Sequence, residues 1–156
     1  MRLDSLKCGG PAWLIGWAVA VFLPSALIAH AGLSPPALAI GTGFDRILAT
    51  TWKVADDVGP AAKLLLGALL ALLFLASSRL TVERTAVRYV LNATLGVAAM
   101  AVTLALIPAA FSRGFGIGLT GARFDWASFP QYALGGLAAG IVFTFMLARC
   151  AGRRAG

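Results

Sequence analysis

Few side chains in the apolar stretches of this 156-residue chain could do chemistry: Asn92, Thr103 and Thr144 within them, and His30, Lys63 and the pair Asp56–Asp57 near their ends. A polar or ionisable group in hydrocarbon is expensive, so it is the first place to look for function. Asn92, Thr103 and Thr144 could line a polar path for a solute, or they could hydrogen-bond two helices together. His30 is the only histidine, and no carboxylate or thiol accompanies it at ligand spacing. It therefore offers neither a metal site nor the paired axial ligands of a membrane haem. Asp56 and Asp57 are adjacent, so on a helix they point in different directions and make a poor acid–base dyad. Lys63 can snorkel to the headgroup layer or pair with either aspartate. No nucleophile with a base, no paired carboxylates and no metal-ligand cluster is visible. The expectation is a chain without catalytic residues, metal or a predicted cofactor, with a bound lipid, quinone or pigment left open.

Cys8 and Cys150 are the two cysteines. Neither belongs to a Cys-x-x-Cys pair, and both fall outside the apolar stretches. They are expected as two separate, reduced thiols on the cytoplasmic side.

The elements that must carry these residues are set by hydropathy. Hydrophobic residues make up 60% of the chain, charged ones 12%, and the mean hydropathy is +0.87. Four apolar segments, about 12–32, 60–78, 86–110 and 132–149, each approach the ~20 residues a helix needs to cross a bilayer. The fold class expected is an all-α integral membrane protein: one domain, with four transmembrane helices in a bundle. The net charge of +7 flanks the apolar segments instead of forming a basic groove, so nucleic acid is not expected as a partner.

Lys and Arg sort by connection. Arg2, Lys7, Arg79, Arg84, Arg88, Arg149, Arg153 and Arg154 belong to the two ends and the second connection. Arg46, Lys53, Lys63, Arg113 and Arg123 belong to the other two. The positive-inside rule then puts both termini in the cytoplasm. Arg2 and Lys7 ahead of an apolar run ending near Ala29-His30-Ala31 also have the outline of a cleavable signal peptide; a permanent first helix is preferred. The alanine- and glycine-rich composition, with arginine preferred to lysine, suggests a bacterium with a GC-rich genome, and the expected location is its inner membrane.

Burying leucine cannot hold helices together in lipid, because the tails are as apolar as leucine. Small residues four apart allow backbones to approach instead. Gly16 and Ala20 in the first segment, Asn92, Gly96, Ala99 and Thr103 in the third, and Gly136, Gly140 and Thr144 in the fourth form such stripes. Gly136-x-x-x-Gly140 would serve packing within the bundle or self-association. The leucine-rich second segment is expected to have the greatest lipid exposure or to meet another subunit. Pro24 and Pro108 are expected to bend or end helices near their outer ends.

Two connections are unusual. Residues 44–57 place Phe44, Ile47, Leu48, Thr51 and Ala55 at helical spacing, with Trp52 at the border, which predicts a short interfacial helix in the first outer loop. Residues 111–131 combine four glycines with Phe115, Phe124, Trp126 and Phe129, the composition of an interfacial aromatic loop. Trp52, Arg84, Arg88 and these four aromatics are the candidate partner or lipid contacts. Lacking catalytic equipment, the chain reads as a non-catalytic accessory or scaffolding subunit of a larger membrane complex, or of a homo-oligomer. The alternatives are a small channel or transporter with its path at Asn92, Thr103 and Thr144, and, less favoured, a lipid-handling membrane enzyme.

Overall fold

A computed structural model describes residues 3–31, 43–80, 84–106 and 129–152, and among these every regular element is helical. The elements are α1 (Leu3–His30), α2 (Gly43–Asp57), α3 (Pro60–Ser78), α4 (Thr85–Leu106) and α5 (Phe129–Gly152). Four of them, over Cys8–His30, Pro60–Ser78, Thr85–Leu106 and Phe129–Cys150, are long and apolar enough to cross a membrane.

Two helices differ from expectation at their ends. α1 begins well before residue 12 and runs through both Pro11 and Pro24 to His30. Pro24 has no N–H to give the carbonyl of Ala20, yet the helix does not stop there. Ser25 keeps the next rung occupied by donating to the Val21 carbonyl at 2.8 Å. α5 begins at Phe129, three residues ahead of the expected span, so Phe129 belongs to a helix and not to the preceding loop. Phe115, Phe124, Trp126 and Pro108 lie outside the described residues.

The start of α3 follows from its residues. Gly59 has φ 77°, a conformation that suits a residue without Cβ, and Pro60 then opens the helix, where its missing N–H costs nothing. At the other end Ser77 and Ser78 donate to the carbonyls of Phe74 and Leu75.

Antiparallel neighbours make a ring: α1 touches α5 and α3, and α4 touches α5 and α3. The stacked rings of Phe74 and Phe143, 4.2 Å apart, close the diagonal between α3 and α5. Small residues set how closely α5 approaches its neighbours. A Cβ on Gly135 would come within 3 Å of the Pro24 ring, and one on Gly16 would lie 3.2 Å from the Ala139 carbonyl oxygen. Gly135 and Ala139 therefore face α1, while Gly136 and Gly140 face α4.

α3 is held to α1 differently. Trp13 and Trp17, four apart on α1 with stacked rings, donate their indole N–H groups to the carbonyls of Gly67 at 3.0 Å and Lys63 at 2.9 Å. Gly67 gives the Trp17 ring its space, since a Cβ there would lie 3.2 Å from the indole.

The face that α2 buries also differs from the expected stripe. Thr50, Val54 and Ala55, followed by Val58, are buried, and α2 packs on α1. Ile47, Leu48 and Trp52 stay exposed. The apolar stripe read from the sequence is thus split between a side that docks on α1 and a side left outward.

Cys8 and Cys150 are not separate thiols. A disulfide joins them, with Cα atoms 5.9 Å apart across a sequence separation of 142 residues. The start of α1 and the end of α5 meet because the two helices are antiparallel neighbours. Nothing local in either Cys environment could reveal that.

Candidate functional site

Two places gather the polar groups. The first is the seam between α4 and α5. Asn92 is 1% exposed, and its Nδ2 donates to Thr144 Oγ1 at 2.9 Å. Thr144 in turn donates to the Gly140 carbonyl of its own helix at 2.9 Å. Thr103 is fully buried and donates to the Ala99 carbonyl at 2.7 Å. Around Asn92 the backbones touch: a Cβ on Gly96 would fall on the Gly136 carbonyl, and one on Gly140 on the Asn92 carbonyl. Ala99 is fully buried, and Ala20, also fully buried, lies on α1 where Gly135 approaches.

Of the residues considered as a polar path, Asn92 and Thr144 are brought together, but in a seam where main chains are in contact. Thr103 bonds within its own helix. The arrangement holds two helices in register and leaves no width for a solute at the level of Gly96 and Gly140. Asn92 Oδ1 is buried without a hydrogen-bond partner among the described residues. The Gly136-x-x-x-Gly140 stripe is taken up by α4 within this chain.

The second place is a hollow between α1, α2 and α3, about 190 Å³, lined by Trp17, Ala18, Val21, Phe22, Trp52, Ala55, Asp56 and Lys63. Ala55 and Val21 supply buried walls, and Ala18, Phe22, Trp52 and Asp56 on its lining are exposed. Trp52 is 66% exposed, and its ring lies 5.7 Å from that of Phe22. At the polar end Lys63 Nζ and Asp56 Oδ1 are 3.8 Å apart, and the aspartate side chain is largely exposed. Such a pair contributes little to stability. A second, more open depression, lined by Phe22, Asp45, Leu48, Ala49, Thr51, Trp52 and Lys53, shares Phe22 and Trp52 with the first.

The remaining candidates are dispersed. Arg84 and Arg88 are exposed at the start of α4, where the Arg88 N–H reaches the Arg84 carbonyl. Phe129 is half-buried at the start of α5. Among the described residues no three His, Cys, Asp or Glu side chains are grouped as a metal site would need.

The sequence reading passed over Trp13 and Trp17. Their four-residue spacing was the available signal, since it puts both indoles on one helix face. Residues lining the hollow come from three helices, and no spacing rule joins them. No protein-family model matches this chain, and neither a curated protein nor a solved structure is significantly similar to it.

Proposed function

We propose that the chain is a non-catalytic accessory or scaffolding subunit of a multi-pass assembly in a bacterial inner membrane, with both termini cytoplasmic and α2 lying in the headgroup layer. The observation that carries this reading is the use made of the intramembrane polar groups. Asn92, Thr103 and Thr144 are engaged in helix packing and intrahelical bonds, while large apolar side chains such as Leu64, Leu72, Val90 and Phe145 point outward. Outward apolar surface with inward small residues suits lipid and other membrane helices. The topology rests on the Lys and Arg count, and the position of α2 on its exposed Ile47, Leu48 and Trp52 beside charged Lys53 and Asp56. The channel or transporter reading has weaker support, because the seam it would use is filled by backbone.

Native mass spectrometry of the detergent-extracted complex tests the proposal. A scaffold retains a stoichiometric partner or a second copy. A lone monomer that passes solute when reconstituted in liposomes would overturn it.

A further inference from the structure

We infer that the hollow between α1, α2 and α3 is a specific site for one zwitterionic phospholipid of the ethanolamine type. Part of one acyl chain would occupy the hollow, and the headgroup would sit at Lys63 and Asp56. Three observations lead there, and none depends on whether the chain is a scaffold.

The first is polarity. Rings and methyl groups of Trp17, Ala18, Val21, Phe22, Trp52 and Ala55 form the wall, and one lysine and one aspartate stand at a single end. An apolar body with ions at one end matches an amphiphile and poorly matches a polar solute. The second is size and access. An apolar cavity of roughly 150 Å³ takes a benzene-sized guest and stays dry; at about 190 Å³ this one has room for part of a hydrocarbon chain and none for a headgroup. Ala18 and Phe22, exposed on its lining, belong to a helix apolar enough to cross a membrane, which puts the hollow within reach of lipid. The more open depression that shares Phe22 and Trp52 gives a second chain somewhere to lie.

The third observation is charge. Each hollow is bordered by one aspartate and one lysine: Asp56 with Lys63, and Asp45 with Lys53. Lys63 and Asp56 already pair with each other. A headgroup carrying a phosphate and a primary ammonium can join that pair without leaving a net charge, the phosphate accepting from Lys63 and the ammonium donating to Asp56. A purely anionic headgroup would satisfy the lysine and repel the aspartate. A choline headgroup has no N–H to donate.

Native mass spectrometry of the full-length protein, titrated with phosphatidylethanolamine, phosphatidylcholine or phosphatidylglycerol, tests this. The wild type should retain one phosphatidylethanolamine in preference to phosphatidylglycerol by about fivefold or more. Ala18→Trp places a ring in the hollow from an exposed position and should lower that retention about fivefold or more. Asp56→Asn combined with Lys63→Gln should keep lipid binding and abolish the headgroup preference. Because a variant can fail to fold, the wild type is also photolabelled with a phosphatidylethanolamine bearing a diazirine on its acyl chain. Label should map to residues 17–22 or 52–55. Equal retention of the three lipids by the wild type, unchanged retention by Ala18→Trp, or label concentrated on α4 and α5 would each overturn the site.

Discussion

At the scale of single residues, the glycines of α5 and α1 are distinguished by what a methyl group would meet. At Gly140 it would run into the backbone of Asn92, and at Gly9 and Gly10 nothing lies within 4 Å. Gly140→Ala should therefore destabilise the protein by about 1–3 kcal/mol, the usual cost of overpacking. Gly9→Ala should be neutral, or stabilising by up to about 1 kcal/mol, because alanine loses less backbone freedom in a helix. Thermal denaturation of the two variants in the same detergent checks the contrast; equal melting temperatures would contradict the packing described. The Asn92–Thr144 bond offers a finer test. Interhelical hydrogen bonds in membranes average about 0.6 kcal/mol, so a double-mutant cycle of Asn92→Leu and Thr144→Val should return a coupling of that size. Zero coupling would mean that the two side chains do not depend on each other.

At the scale of elements, α2 is the helix whose place depends least on its own sequence and most on its neighbour. Val54, Ala55 and Val58 are buried, and α2 touches α1. A polar substitution at the centre of that contact, Val54→Asn, leaves an amide buried without a designed partner, at a cost of about 1–3 kcal/mol. Hydrogen exchange should then quicken along α2 and stay unchanged in α4 and α5. Uniform quickening would mean that α2 is part of one cooperative unit with the other helices. The position of α2 as a helix was legible in the sequence, because residues 44–57 alternate apolar and charged faces at helical spacing. Which side it buries was not, because a stripe ending in Leu48, Thr51 and Trp52 looks as apolar as the one that docks. The seam residues Gly96, Gly136 and Gly140 were legible for the opposite reason: small side chains at four-residue spacing have one use in lipid. Trp13 and Trp17 were missed since nothing local to α1 shows what their indoles meet, and only the carbonyls of Lys63 and Gly67 make them a clamp.

At the scale of the whole molecule, the Cys8–Cys150 disulfide joins the beginning of the described chain to its end. A crosslink acts mainly by restricting the unfolded state, for typically about 2–4 kcal/mol. In a bilayer the helices keep their backbone bonds when packing is lost, so the two cysteines already share one membrane face and the gain should fall at the lower end. Cys8→Ser should lower the melting temperature of the oxidised protein and leave the reduced protein unaffected. The same bond bears on topology. Thiols are held reduced in the cytoplasm and pair in oxidising compartments, whereas Lys and Arg counting assigns this face to the cytoplasm. If the proposed orientation holds, a reporter fused after Gly156 will be active on the cytoplasmic side, and both thiols in intact cells will alkylate until an oxidant is added. A periplasmic reporter with cysteines that never alkylate would reverse the orientation.

Hydropathy adds up residue by residue along a segment, and the cost of leaving peptide groups unbonded in lipid makes helix the outcome for any long apolar run. For that reason the sequence alone determined four apolar helices, their approximate bounds and the stripes by which they pack. Contacts between distant segments follow no such sum. The pairing of Cys8 with Cys150, the stacking of Phe74 on Phe143 and the hollow shared by Trp17, Trp52 and Lys63 exist only once α1, α2, α3 and α5 have chosen their neighbours. That choice depends on how whole surfaces fit, which only the tertiary structure decided.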